Sequence, residues 1–209
     1  MNGWTCRGST LRRAEWLLGR ATAKESVRRY LQKYLLSHWT SADIQIWADD
    51  AGKPNAIGPW RDILRASRLD ISIAHTSKLI VAAAAANARI GIDIEAIGRD
   101  LSEDFSNGVF TPEEMERAAQ MRESPIAMLK FWCAKEAISK ALGTGIRYSP
   151  RDLHIVAVDE EKGCVYIELL GQWLDTFKQF KGRKNIVYTS VYAGHAFASC
   201  IFSNTLFGD

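Results

Sequence analysis

Cysteine is scarce and scattered in this chain. Its four cysteines, Cys6, Cys133, Cys164 and Cys200, form no CxxC pair and no metal-ligand spacing. That argues against a disulfide framework or a zinc site and for reduced thiols in a cytoplasmic protein. Long apolar runs are missing as well. The longest, residues 79–86, is far below the ~20 residues that cross a bilayer. Charge interrupts residues 11–20, so the N-terminal region has no apolar stretch of signal-peptide length. No Ser/His/Asp set is visible, and His38, His154 and His195 have no neighbours that suggest chemistry.

The charge is uneven. Of a net +3, residues 1–40 hold eight cations, Arg7, Arg12, Arg13, Arg20, Lys24, Arg28, Arg29 and Lys33, against Glu15 and Glu25. A basic segment in an otherwise near-neutral chain suits an anionic ligand, and equally suits a solvated helix face. It is short and lacks interleaved aromatics, which argues against nucleic acid.

The coarse order is helix and strands, twice. Residues 10–36 read as a helix without proline, with Arg13, Arg20 and Lys24 on one side together with Leu17,. A turn is expected around Gly52-Lys53-Pro54, then strands over residues 71–75, 79–85 and 90–95,. In the second half, Thr111 with Glu114 reads as a capping box. A longer helix runs from about Pro125 to Leu142 and stops at Gly143, and four strand-like segments follow it,. The expectation is an α+β fold of two similar halves, residues 1–97 and 98–209. Each is a helix plus an antiparallel sheet of three or four strands, in a pseudo-twofold arrangement with the active site at their junction.

Chemistry concentrates in two stretches, Ile90-Gly-Ile-Asp-Ile-Glu95 and Trp132-Cys-Ala-Lys-Glu-Ala-Ile-Ser-Lys140. Alternation along a strand puts Asp93 and Glu95 on one face, with Ile92 and Ile94 on the other. At 100° per residue, Phe131, Ala134, Ile138, Ala141 and Leu142 share a core side of the helix. Trp132, Glu136, Lys140 and Gly143 share the adjoining side, with Lys135 at the border. Each stretch alone also fits a solvated strand or a surface Glu–Lys pair. Three carboxylates beside lysines suit a hard divalent cation and the phosphates it neutralises.

Taken in order, Gly52-Lys53-Pro54, Ser72-Ile-Ala-His-Thr76, the Asp93/Glu95 strand and the Lys135-Glu136/Lys140 helix resemble the Sfp-type 4′-phosphopantetheinyl transferases. Residues 12–24 resemble that family's basic helix, so the resemblance runs from about Leu11 to Phe202. It implies a Mg²⁺-dependent transfer of the 4′-phosphopantetheine arm of coenzyme A to a serine of an acyl or peptidyl carrier protein, with release of 3′,5′-ADP. Asp93, Glu95 and Glu136 would ligate Mg²⁺, or Mn²⁺, which also takes oxygen ligands. Glu136 would act as base and Lys140 would hold the α-phosphate. Arg13, Arg20, Lys24, Lys53, His75, Thr76 and Lys135 would join Lys140 in binding coenzyme A. Leu101, Phe105 and Phe110 would dock the carrier protein; capping the core is the other reading of these three.

The resemblance further implies a monomer whose single chain supplies both halves of the site. Fewer residues precede the basic helix than is usual in the family, so either the start is truncated or the chain is a compact member. Ala74 stands where a serine commonly precedes the histidine, so one hydroxyl contact to phosphate is expected to be missing. Two other readings use the same residues. One is a catalytically weak homologue that binds coenzyme A or carrier proteins; the other is a Mg²⁺-dependent phosphoesterase that activates water.

Overall fold

The computed structural model describes residues 10–35, 38–60 and 69–208. They form an α+β fold with two antiparallel sheets. The first contains β1 (Gln45–Ala48), β2 (Pro54–Ile57), β3 (Leu69–His75) and β4 (Ile80–Ala86), in that spatial order. Helix α1 (Thr10–Leu35) lies along β4 and β3. The reason is legible in its spacing: Ala23, Val27 and Leu31 recur every fourth residue and are fully buried with Ile44, Trp60 and Ile71,. Burying each larger apolar side chain contributes ~1.5–3 kcal/mol.

The second sheet runs β5-β9-β8-β7-β6, from β5 (Ala88–Ala96), β6 (Leu153–Asp159), β7 (Cys164–Leu169), β8 (Asn185–Tyr192) and β9 (His195–Ser203). Before β6 come α2 (Glu103–Val109), α3 (Pro112–Ala119) and α4 (Ser124–Leu142); a short α5 (Gly171–Thr176) precedes β8. Helix α4 lies across β5, β9 and β8 and buries Phe131, Ala134, Ile138, Ala141 and Leu142, as its periodicity predicts. The Thr111–Glu114 capping box forms, and Gly143 closes α4 at φ +90°, a conformation that glycine adopts without penalty,.

Strand β5 departs from the expected layout. It lies before residue 97, yet it pairs along its whole length with β9, from Ala88 opposite Ser203 to Ala96 opposite His195. Asn87, at φ +55°, turns the chain after β4 so that β5 leaves the first sheet. A division at residue 97 therefore cuts through the five-stranded sheet. The apolar face of β5, Ile90, Ile92 and Ile94, packs with Ala74, Val81 and Ala83 of the first sheet and joins the two layers. The segment around Gly52 also holds more than a turn, since β1 and β2 form a hairpin there. Trp47 faces outward on β1 and inverts the alternation that would have marked that strand.

Cys133, Cys164 and Cys200 are buried free thiols. Among the described residues, no helix is long and apolar enough to cross a membrane.

Candidate active site

Strand β5 and helix α4 bring the predicted acids together. They can approach closely because of Gly91: a Cβ there would lie 1.9 Å from the Ala137 carbonyl oxygen and 2.4 Å from the Ala141 nitrogen. This contact sets Asp93 and Glu95 against Glu136 and Lys140, the immediate neighbours of Ala137 and Ala141 on the same helical turn. Lys140 Nζ donates to Asp93 Oδ1 at 2.7 Å and stands 3.9 Å from Glu136 Oε2. Trp132 Nε1 donates to Glu95 Oε1 at 3.2 Å, and Arg99 forms an ion pair with the same oxygen. Phe105 meets Trp132 edge-on, with ring centroids 5.0 Å apart.

The three acids are short of positive charge. Burial raises the Asp93 carboxyl above the usual range despite Lys140, the Cys133 thiol and the Ile94 amide, and Asp93 Oδ2 is buried without a well-formed hydrogen bond. Burial likewise raises Glu136, again opposed by Lys140, and Asp93 and Glu95 push it further. Glu95 is raised by burial against the pull of Arg99. An orphaned carboxylate oxygen at this depth costs ~1–3 kcal/mol or more, and an added cation would remove that cost. Among the described residues no three His, Cys, Asp or Glu side chains are already gathered as an ion's ligand set; Lys140 and Arg99 lie on the acids instead. An all-oxygen donor set with one unpartnered oxygen fits a hard divalent cation.

Beside the acids opens a cleft of about 210 Å³. One wall is Gly52, Lys53 and Pro54 with Ile71, Ser72 and Ile73 of β3. The other is Lys140, Gly143, Thr144 and Gly145 at the end of α4. Lys140 thus belongs to both the cleft and the acid cluster. Asp49 shapes the opposite wall by accepting from the backbone N–H groups of Ala51 and Lys53. Lys53 pairs with Asp70 at 2.8 Å, and both side chains are mostly buried.

Other predicted residues lie elsewhere. Arg13, Arg20 and Lys24 do not line this cleft: Arg13 is exposed on α1, Arg20 covers the Trp16 ring at 3.6 Å, and Lys24 donates to the Ser41 carbonyl. His75 is exposed at the end of β3. Thr76 Oγ1 accepts from the backbone N–H groups of Lys78 and Leu79 and shares a hydrogen bond with His195 Nε2; the His195 Nδ1 N–H is spent on the Ala193 carbonyl.

Three expectations are corrected. Lys135, expected at the phosphates, is fully buried on the opposite side of α4. Its three donors go to Glu114 Oε2 at 2.8 Å and to the Val109 and Pro150 carbonyls, each at 3.0 Å. Burial lowers this amine's pKa, with Glu114 opposing. Phe110, expected on a docking surface, has no exposed area; it fills the core and lies 5.2 Å from the Lys135 amine. Phe105 and Leu101 are partly buried against that core. Ala74 is buried with Ile92 and Ile94, so a hydroxyl there would face β5 and not a phosphate.

Residue patterns alone missed Asp70, Ser72, Glu114 as a buried anion, and Arg99. The first two left a trace: Asp70, Ser72 and Ala74 alternate with Leu69, Ile71 and Ile73, a small polar face on an otherwise apolar strand,.

The family model of the 4′-phosphopantetheinyl transferase superfamily matches residues 89–198, just over half of the chain. This span contains Asp93, Glu95, Glu136 and Lys140, while Lys53, His75 and α1 lie outside it. The holo-[acyl-carrier-protein] synthase of Dinoroseobacter shibae is 33% identical over 119 residues, covering 52% of this chain and 84% of that protein. That of Cereibacter sphaeroides is 32% identical over 117 residues, 52% of this chain and 85% of its own. Among solved structures, Helicobacter pylori holo-[acyl-carrier-protein] synthase in complex with coenzyme A is 26% identical. The match covers 54% of this chain and 97% of that one, with a TM-score of 0.43.

Proposed function

The chain belongs to the 4′-phosphopantetheinyl transferase superfamily, and we propose on that premise that it moves the phosphopantetheine arm of coenzyme A onto a serine of an acyl or peptidyl carrier protein. The observation that carries this reading is the double placement of Lys140, which ties a cation-deficient acid cluster to an open cleft lined by a second lysine. Asp93, Glu95 and Glu136 would hold Mg²⁺, which when bound neutralises charge on the coenzyme's pyrophosphate. Lys53 and Lys140 face one another across the cleft and bind phosphate from its two sides.

Glu136 takes the proton of the incoming serine hydroxyl. The serine oxygen forms a bond to the phosphorus that bears the pantetheine arm, and the bond from that phosphorus to 3′,5′-ADP breaks. Lys140 holds the negative charge that accumulates on the departing nucleotide. The nucleophile belongs to the partner, so no serine, histidine and aspartate set is required on this chain. Phe105 stands against Trp132, and Leu101 packs on the same core, where a carrier helix would approach the acids. The reading extends to a cytoplasmic monomer of two halves, residues 1–97 and 98–209, in a pseudo-twofold arrangement in which the first half lends β5 to the sheet of the second. The composition and the placement of both cleft walls on one chain support this.

Intact-mass spectrometry tests the proposal. An apo acyl carrier protein and an apo peptidyl carrier protein are each incubated with this protein, coenzyme A and Mg²⁺, with and without chelator. A gain of one phosphopantetheine arm, abolished by chelation, is expected on at least one of them. No gain on either carrier, with coenzyme A still bound, would replace the transferase with a coenzyme A-binding homologue.

A further inference from the structure

Strand β5 has one edge on β9 and the other on side chains. Ile90 N donates to Asp70 Oδ2 at 2.7 Å, and Ile92 N donates to Ser72 Oγ at 3.0 Å. Both acceptors come from the polar face of β3, and the matching increments of two show the strands running in the same direction, level with one another. The free edge of the acid-bearing strand is thus capped by two side chains where another strand would ordinarily lie. Asp70 also takes the Lys53 ammonium at 2.8 Å, so one carboxylate joins the cleft cation to the strand that presents Asp93. On the next rung, level with Ile94, stands Ala74, which offers no acceptor.

We propose that Asp70 and Ser72 form a positioning rail, in which Ser72 fixes the height of β5 and thereby the spacing of Asp93 and Glu95 from Glu136, while Asp70 acts through Lys53 on coenzyme A. Neither side chain touches the reacting atoms. Ser72 is almost completely buried, so losing its hydroxyl leaves the Ile92 amide with nothing to donate to,. Asp70 and Lys53 fix each other at the cleft wall and hold the ammonium ready before any phosphate arrives. The inference rests on the transferase reading for its coenzyme A arm, whereas its metal and exchange arms stand without it.

Three measurements test the rail. Calorimetric titration of Mg²⁺ into folded Ser72→Ala should show binding about tenfold weaker than in the wild type, the scale of a lost outer contact to a ligand-bearing element. Ser72→Thr, which keeps the hydroxyl, should restore it. Unchanged Mg²⁺ affinity in Ser72→Ala would overturn the role of Ser72. Asp70→Asn keeps an acceptor for the Ile90 amide but drops the ion pair, and should raise KM for coenzyme A several-fold with Mg²⁺ affinity unchanged. In a Lys53→Met background the same substitution should have no further effect on KM; a further rise would show that Asp70 does not act through Lys53. If Ser72→Ala does not fold, amide exchange of the wild type decides. The Ile90 and Ile92 amides should be protected as strongly as those facing β9, and exchange at the rate of an open strand edge would overturn the rail. Loss of transfer with the Mg²⁺ and exchange results intact would contradict the transferase reading and leave the rail standing.

Discussion

Helix α4 carries two lysine–carboxylate pairs little more than one turn apart, and they are opposites. Lys135 and Glu114 are wholly buried and fully satisfied: three acceptors surround the ammonium, while Glu114 also takes the Thr111 and Ile155 amides. Lys140 borders the cleft and pairs with Asp93, which keeps one buried oxygen without a partner. The first pair is closed to any ligand, and it fastens α3, α4 and the start of β6 together. The second is under-neutralised and faces an opening. The number of lone pairs and protons left over, more than the presence of charge, separates a fastening from a site.

Substitutions can break this contrast. Glu136→Gln should produce the largest effect, about 10³-fold slower transfer, because it removes both an oxygen ligand and the base. Its melting temperature should not fall, since a raised, under-neutralised carboxylate has been removed. A thermal melt beside the mass assay checks both halves, and a lower melting temperature would make Glu136 structural.

Glu114→Gln should do the reverse. Leaving the Lys135 ammonium buried without its anion costs about 3–5 kcal/mol of stability, read by denaturant unfolding, while the folded fraction keeps native KM for coenzyme A. The double variant Glu114→Gln with Lys135→Met should recover most of that loss.

Gly91→Ala should affect both pairs at once. The new methyl meets backbone atoms of α4, which cannot swing aside as a side chain would, and overpacking of this kind costs about 1–3 kcal/mol or more,. Lower stability together with weaker Mg²⁺ binding is expected, and a change in only one would separate the helix–strand contact from the site. The smallest effect belongs to Phe105→Ala. KM for the carrier protein should rise about tenfold, on the scale of an interface anchor, with KM for coenzyme A unmoved.

Much of this arrangement is legible in the sequence because its signals are periodic. The alternation of Gly91, Asp93 and Glu95 against Ile90, Ile92 and Ile94, and the core side of α4, both survive in the structure. So do the Thr111 cap and the Gly143 stop. What was not legible depends on three-dimensional partners. Lys135 sits at the border of two helix faces, and only the position of Glu114, far away on α3, decides which way its amine turns. Phe110 resembles an exposed anchor until α4 covers it. Strand β5 follows β4 closely in sequence, yet its long-range register with β9 outcompetes a local hairpin. Ala74 reads as a lost phosphate contact until β3 is seen against the edge of β5.

The most direct test of the account is calorimetric titration of Mg²⁺, with coenzyme A present, into the wild type, Glu136→Gln and Glu114→Gln. Saturable binding in the wild type and in folded Glu114→Gln, weakened at least about tenfold in Glu136→Gln, is the predicted pattern. Equal binding in all three, or none in the wild type, would contradict the assignment of the acids beside the cleft.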